Sequence, residues 1–121
     1  MLRVLIAEDE MLLALTLRAQ LETRGFEVVG VAQNGQAALD LCRERCPDAI
    51  LMDLRMPVMD GLEATRQIMA ECPTCIVVLS ALSERDAIAR AEEVGARGYL
   101  TKPASIEQVV EALATAGQES A

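Results

Sequence analysis

Histidine is absent from this chain. That excludes imidazole general bases, Ser-His and Cys-His nucleophile systems, histidine metal ligands and any role as a phosphohistidine carrier. Tryptophan is also absent, and the only aromatic residues are Phe26 and Tyr99, so the core must be filled by Leu, Val, Ile, Ala and Met. There is a single lysine, Lys102; the other basic residues are arginines. Such a choice suits a compact point charge on a flexible stem rather than a generic surface cation. No apolar run approaches the length of a membrane span, and Met1–Glu8 is apolar too briefly for a signal peptide, so the expected location is cytoplasmic and no membrane partner is expected. A formal net charge of −8 argues against direct nucleic-acid binding, which needs a basic face, and favours a pocket for a cation.

What is present is one domain's worth of chain: 121 residues, 52% hydrophobic, with no repeat, low-complexity tract or internal linker. Strand-like apolar runs at 4–7, 28–32, 49–52, 76–79 and 99–101 alternate with helical patterns at 11–24, 36–45, 62–71, 84–94 and 106–116. Gly25 and Gly95 follow helix ends, and Ser105 is a candidate N-cap. Asn34-Gly35, Pro47-Asp48 and Asp60-Gly61 mark turns, and residues 117–121 read as a tail or the start of a linker. The runs at 49–52 and 76–79 are apolar without alternation, as in strands covered on both faces, while the run at 28–32 is weaker and reads as an edge. Five βα units of this kind make an α/β fold, an open doubly wound parallel sheet with its ligand site at the C-terminal edge.

Four of these runs hand over to polar residues at that edge: Glu8-Asp9-Glu10, Asp53, Ser80 and Lys102-Pro103. Right-handed crossovers bring the four ends together. Taken singly, each residue has an ordinary explanation as a cap, a turn residue or a solvated charge. Jointly they make a group of carboxylates with a hydroxyl and an ammonium. Packed anions repel unless a cation binds, and oxygen-only ligands suit Mg²⁺ or Mn²⁺. A metal there would leave Asp53 ionised and able to act as a nucleophile towards a phosphoryl group, with Lys102 and Ser80 on its other oxygens.

Ile6-Ala7-Glu8-Asp9-Glu10, the stretch Met52 to Gly61, Leu79-Ser80-Ala81 and Tyr99-Leu100-Thr101-Lys102-Pro103 resemble, in order and spacing, the receiver domain of bacterial two-component response regulators. The resemblance covers residues 2–116 and implies a flavodoxin-like sheet of order 2-1-3-4-5. It implies that Asp53 is the phosphoacceptor, supplied by a sensor histidine kinase or histidine phosphotransfer protein. Asp9 and Asp53 would be direct metal ligands, joined by the backbone carbonyl of Arg55, with Glu8 acting through water or from behind them. Lys102 would pair with the phosphoryl group, and Ser80 and Tyr99 would relay its presence to the α4-β5-α5 face. The Lys102–Pro103 bond would be cis. The sequence departs from the pattern in having Glu8 for the commoner Asp, Ala104 for an aromatic, and Gly95-Ala96-Arg97-Gly98 without the acidic pair of one large DNA-binding subfamily. Arg55 and Leu82 occupy positions that tune dephosphorylation in the family. The resemblance is compatible with a homodimer formed on phosphorylation.

Two rival functions compete with this reading. A Mg²⁺-dependent phosphohydrolase using Asp53 as nucleophile would want a second acid where Arg55 stands, and a phosphorylation-independent pseudo-receiver would not need the full set of Asp9, Asp53, Ser80 and Lys102. Helix one carries more apolar residues than one core face uses. Leu13, Leu17 and Leu21 form the expected buried ridge, and Met11 and Leu15 are left on another line as a candidate docking surface for a helical partner. Cys42, Cys46, Cys72 and Cys75 have spacings that could serve zinc or a disulfide, but packing is the favoured reading, since Cys42 continues the apolar stripe of Ala38 and Leu39.

Overall fold

The computed structural model describes residues 2–119, with side chains described for residues 2–116. Five strands, β1 (Arg3–Ala7), β2 (Glu27–Ala32), β3 (Ala49–Met52), β4 (Cys75–Ser80) and β5 (Gly98–Thr101), alternate with helices α1 (Met11–Thr23), α2 (Gly35–Arg45), α3 (Gly61–Glu71), α4 (Arg85–Glu93) and α5 (Ile106–Glu119). The strands pair in parallel in the order β2-β1-β3-β4-β5, which places β2 at an edge as its weaker apolar pattern suggests. Helix α5 continues beyond the expected end at 116 to Glu119; the last two residues of the expected tail lie outside the described residues.

Alternation along each strand divides the core into two layers. Val4, Ile6, Leu51 and Val77 face Ala14, Leu17 and Leu21 of α1 and Val109 and Leu113 of α5. Leu5, Ile50 and Ile76 face Ala38, Leu39 and Cys42 of α2 and Ala64 and Ile68 of α3. With both faces covered, β3 and β4 are buried throughout. A smaller cluster of Leu54, Val78 and Ala91 seats α4. The helix ends follow their chemistry. Gly25 (φ 90°) and Gly95 (φ 112°) take the left-handed conformation just after α1 and α4. The Asn34 and Asp60 side chains accept from Ala37 N and Glu63 N, so the two dipeptides read as turns are N-caps followed by a first-turn glycine. Ser105 and Gln108 exchange bonds in a capping box.

One expectation for α1 needs correction. Its buried residues are Ala14, Leu17 and Leu21; Leu13 is only half-buried. The helix is rotated so that the small Ala14 lies against the sheet, and Leu12, 77% exposed, joins Met11 and Leu15 on the outer face.

Candidate functional site

The polar residues beyond the strand ends are held by the ladder that makes the sheet. Glu8 N donates to Ala32 O of β2 at 2.8 Å, Asp53 N to Ala7 O of β1 at 2.9 Å, and Lys102 N to Ser80 O of β4 at 2.8 Å. Each therefore starts from a fixed backbone position, and their side chains meet. Glu8, Asp9 and Asp53 each offer a carboxylate oxygen, all within 4.8 Å of one another. Lys102 Nζ lies 2.8 Å from Glu8 Oε1 and 3.4 Å from Asp53 Oδ2. Glu8, Asp53 and Ser80 are buried and Asp9 is exposed, so the group is open on the Asp9 side.

Close backbone packing sets the Asp53 side of the site. Gly61 begins α3 directly beneath Asp53, and its N–H donates to Leu54 O at 2.9 Å. A Cβ added there would lie 1.9 Å from the Asp53 carbonyl oxygen, so no other residue fits without moving β3 or α3. Gly35 plays a similar part against the Met59 carbonyl, where a Cβ would lie at 2.2 Å. The glycines after Asn34 and Asp60 are thus close-approach positions, which a turn-based reading of the two dipeptides does not reveal.

The electrostatics are those of an anionic group with one internal cation. Burial pushes the Glu8 carboxyl above its ordinary range, and the nearby Asp53 charge adds to this, against bonds from Lys102 and the Glu10 N–H. For Lys102 burial works towards a lower value, but the hydrogen bond to Glu8 and the charges of Asp53 and Glu8 outweigh it, so the ammonium is held above its usual value. Lys102 is therefore firmly charged and engaged with Glu8, the residue that departs from the family pattern. Three carboxylates and no nitrogen or sulfur donor form a hard oxygen set, which suits Mg²⁺ or Mn²⁺.

On the β4–β5 side, Ser80 Oγ accepts from Leu82 N at 3.2 Å, and the Tyr99 hydroxyl donates to Leu82 O at 2.6 Å. The Tyr99 ring packs on the cluster that seats α4, and burial raises its phenol, the Ser80 side chain opposing the shift. Leu82 thus joins the two residues through its main chain, a contact with no side-chain signature in the sequence. The Lys102–Pro103 peptide is cis, as the resemblance implies. A cleft of about 510 Å³ opens beside the carboxylates, lined by Asp9, Arg55, Leu82 and, from helix faces that strand-end reasoning does not reach, Leu62, Ala87 and Arg90.

This geometry joins a direct sequence match. Residues 4–114 match the family model of the response regulator receiver domain. The chain belongs to that family. It is 44% identical over 111 residues to the transcriptional regulatory protein PdtaR of Mycobacterium tuberculosis, covering 92% of this chain and 54% of that protein. It is 37% identical over 119 residues to the chemotaxis protein CheY of Listeria monocytogenes, covering 98% of this chain and 100% of CheY. The chain thus spans only about half the length of PdtaR but all of CheY. Among solved structures, the response regulator domain of Thermotoga maritima CheB superposes with a TM-score of 0.92 at 29% identity, covering 97% of this chain and 96% of that one. Receiver domains belong to two-component systems, and the doubly wound fold expected from the strand ends is the one these relatives share. No helix among the described residues is long and apolar enough to cross a membrane.

Proposed function

We propose that this receiver domain is a phosphorylation-activated switch in which Asp53 accepts a phosphoryl group from the phosphohistidine of a sensor kinase or phosphotransfer protein. The observation that carries the reading is the convergence of the Glu8, Asp9 and Asp53 carboxylates within 4.8 Å, with the Lys102 ammonium 3.4 Å from Asp53. An Asp53 oxygen attacks phosphorus, forming the P–O bond as the P–N bond to the donor imidazole breaks, and the imidazole leaves with a proton from solvent. Asp9, Asp53 and the Arg55 carbonyl would hold Mg²⁺ or Mn²⁺, with Glu8 behind them, and such an ion would supply charge neutralisation for the carboxylates and the transferring group. Lys102 exchanges its Glu8 contact for a phosphoryl oxygen, and the Ser80 hydroxyl takes another. Drawing Ser80 away from Leu82 N perturbs the segment on which the Tyr99 hydroxyl rests, which carries the change to α4, β5 and α5.

The test is intact-mass analysis of the chain with acetyl phosphate and Mg²⁺. One phosphoryl adduct is expected, lost on chelation of the metal and absent from Asp53→Asn. Protein that gains no mass where another receiver domain does, or an Asp53→Asn variant labelled as fully as the parent, would refute the reading.

A further inference from the structure

At the opposite edge of the sheet from the carboxylates, two thiols that are 30 residues apart in sequence face each other. Cys42 Sγ, on the buried face of α2, lies 3.4 Å from Cys72 Sγ at the C-cap of α3. The neighbouring Cys75 is not part of the pair, because its thiol is buried against Ala116 O at 3.0 Å. The Cys72-Pro73-Thr74-Cys75 spacing is therefore a false lead, and the real juxtaposition is between helices. Two polar contacts brace it. Arg43 Nη2 on α2 donates to both carboxylate oxygens of Glu71, at 2.8 and 2.7 Å, and Thr74 Oγ1 donates to Pro47 O at 2.9 Å. A cleft of about 180 Å³ lined by Cys42, Cys46, Pro47, Cys72, Pro73 and Thr74 opens onto the sulfurs, large enough for a small oxidant. Among the described residues the only cluster of three metal-ligating groups is Glu8, Asp9 and Asp53, so these thiols are a pair rather than a preformed metal site.

We propose that Cys42 and Cys72 are a redox modification site, converted by a peroxide to an intramolecular disulfide that staples α2 to the end of α3. Bond formation needs the sulfurs to close from 3.4 Å to about 2.05 Å. The half-buried Cys72 reacts first: its thiolate attacks one peroxide oxygen, the S–O bond forms, the O–O bond breaks, and hydroxide leaves as water after taking a proton. Cys42 then attacks the Cys72 sulfenic sulfur. The S–S bond forms, the S–O bond breaks, and the departing hydroxide takes the Cys42 proton as a second water. Two thiols are oxidised by two electrons and one peroxide is reduced to two waters. The order follows from access, because Cys72 is half-buried at the cleft while Cys42 is buried on α2, where burial and the Cys72 contact hold its thiol up to about 12 and make it the poorer initiating nucleophile. Cys46 is exposed, with its Sγ turned to Arg43 O at 3.9 Å, and is not needed.

The experiment exposes the reduced full chain to hydrogen peroxide, blocks remaining thiols with an alkylating agent, and maps linkages by mass spectrometry. The expected product loses about 2 Da, links Cys42 to Cys72, and reverts with dithiothreitol. Cys46→Ser still forms it. Cys72→Ala does not, and Cys42→Ala stops at a Cys72 sulfenic acid that a dione reagent traps. The oxidised chain melts at a higher temperature than the reduced one. If Cys42→Ala fails to fold, Cys72→Ala, at a half-buried position, decides the matter alone. A dominant Cys42–Cys46 link, dimers through Cys46, or four thiols that stay alkylatable while free cysteine in the same solution is oxidised would each overturn the proposal.

Discussion

Replacing Lys102 with Met isolates the contribution of the one cation in the carboxylate group. The change keeps the apolar stem, which lines a cleft with Leu13, Leu17 and Leu79, and deletes the charge. At an effective dielectric constant of about 20, an ion pair at roughly 3 Å gains about 5 kcal/mol before desolvation is counted. Breaking a buried pair by removing one partner costs about 3–5 kcal/mol. The Lys102 side chain keeps 22% of its exposure, which favours the lower end, about 3 kcal/mol. A ceiling follows independently: a stranded carboxylate can always take up a proton, which at about pH 7.5 costs about 4 kcal/mol from an ordinary value near 4.5. For a chain of this size the loss lowers Tm by roughly 10 °C. The pH dependence gives a second signature. Glu8 is raised in the folded state, so the fold binds its proton more tightly than the unfolded chain does, and stability falls as pH rises from 4.5 through the raised value. Without Lys102 that value rises further, so the deficit should be large at about pH 7.5 and mostly close as pH falls to about 4.5 and below, where Glu8 is protonated in the folded state of parent and variant alike. Urea denaturation of parent and variant at the two pH values, without divalent cations, measures it. Equal stability at the higher pH, or a deficit that does not shrink on acidification, would show that Lys102 does not neutralise this group.

Gly61→Ala places a Cβ 1.9 Å from the Asp53 carbonyl oxygen and should cost about 3 kcal/mol or more while slowing phosphoryl uptake, read by denaturation and by intact mass; wild-type stability would mean that α3 shifts freely. Arg55→Asn and Leu82→Glu should speed loss of the phosphoryl group by about tenfold, roughly 1.4 kcal/mol of barrier, because Arg55 and Leu82 line the cleft beside Asp9 through which water would approach. A radiolabel chase measures this, and no acceleration in either variant counts against it. Met11, Leu12 and Leu15 are 42%, 77% and 49% exposed on one end of α1, close to the carboxylates in the chain. Met11→Glu with Leu15→Glu should slow transfer from a phosphotransfer protein by about tenfold or more while leaving acetyl phosphate labelling unchanged; an equal effect on both donors would place the defect in the site itself.

The alternation of apolar runs with helical patterns sets the βα order, because a strand without polar alternation can only be buried on both faces, and the observed strand and helix limits fall close to those runs. The polar residues after Ala7, Met52, Leu79 and Thr101 were likewise legible as a group, since parallel strands bring their C-terminal ends to one edge. Pairings that depend on side-chain direction were not legible. Whether Lys102 reaches Glu8 or Asp53, whether Ala14 or Leu13 faces the sheet, and which cysteine meets Cys42 are settled by helix rotation and rotamer packing in three dimensions. The Tyr99–Leu82 bond and the Gly61 approach involve main-chain oxygens that every residue carries, so no residue type announces them. The chain's own residues determined which chemical groups gather at the sheet edge; only the packed tertiary structure decided which of those groups touch.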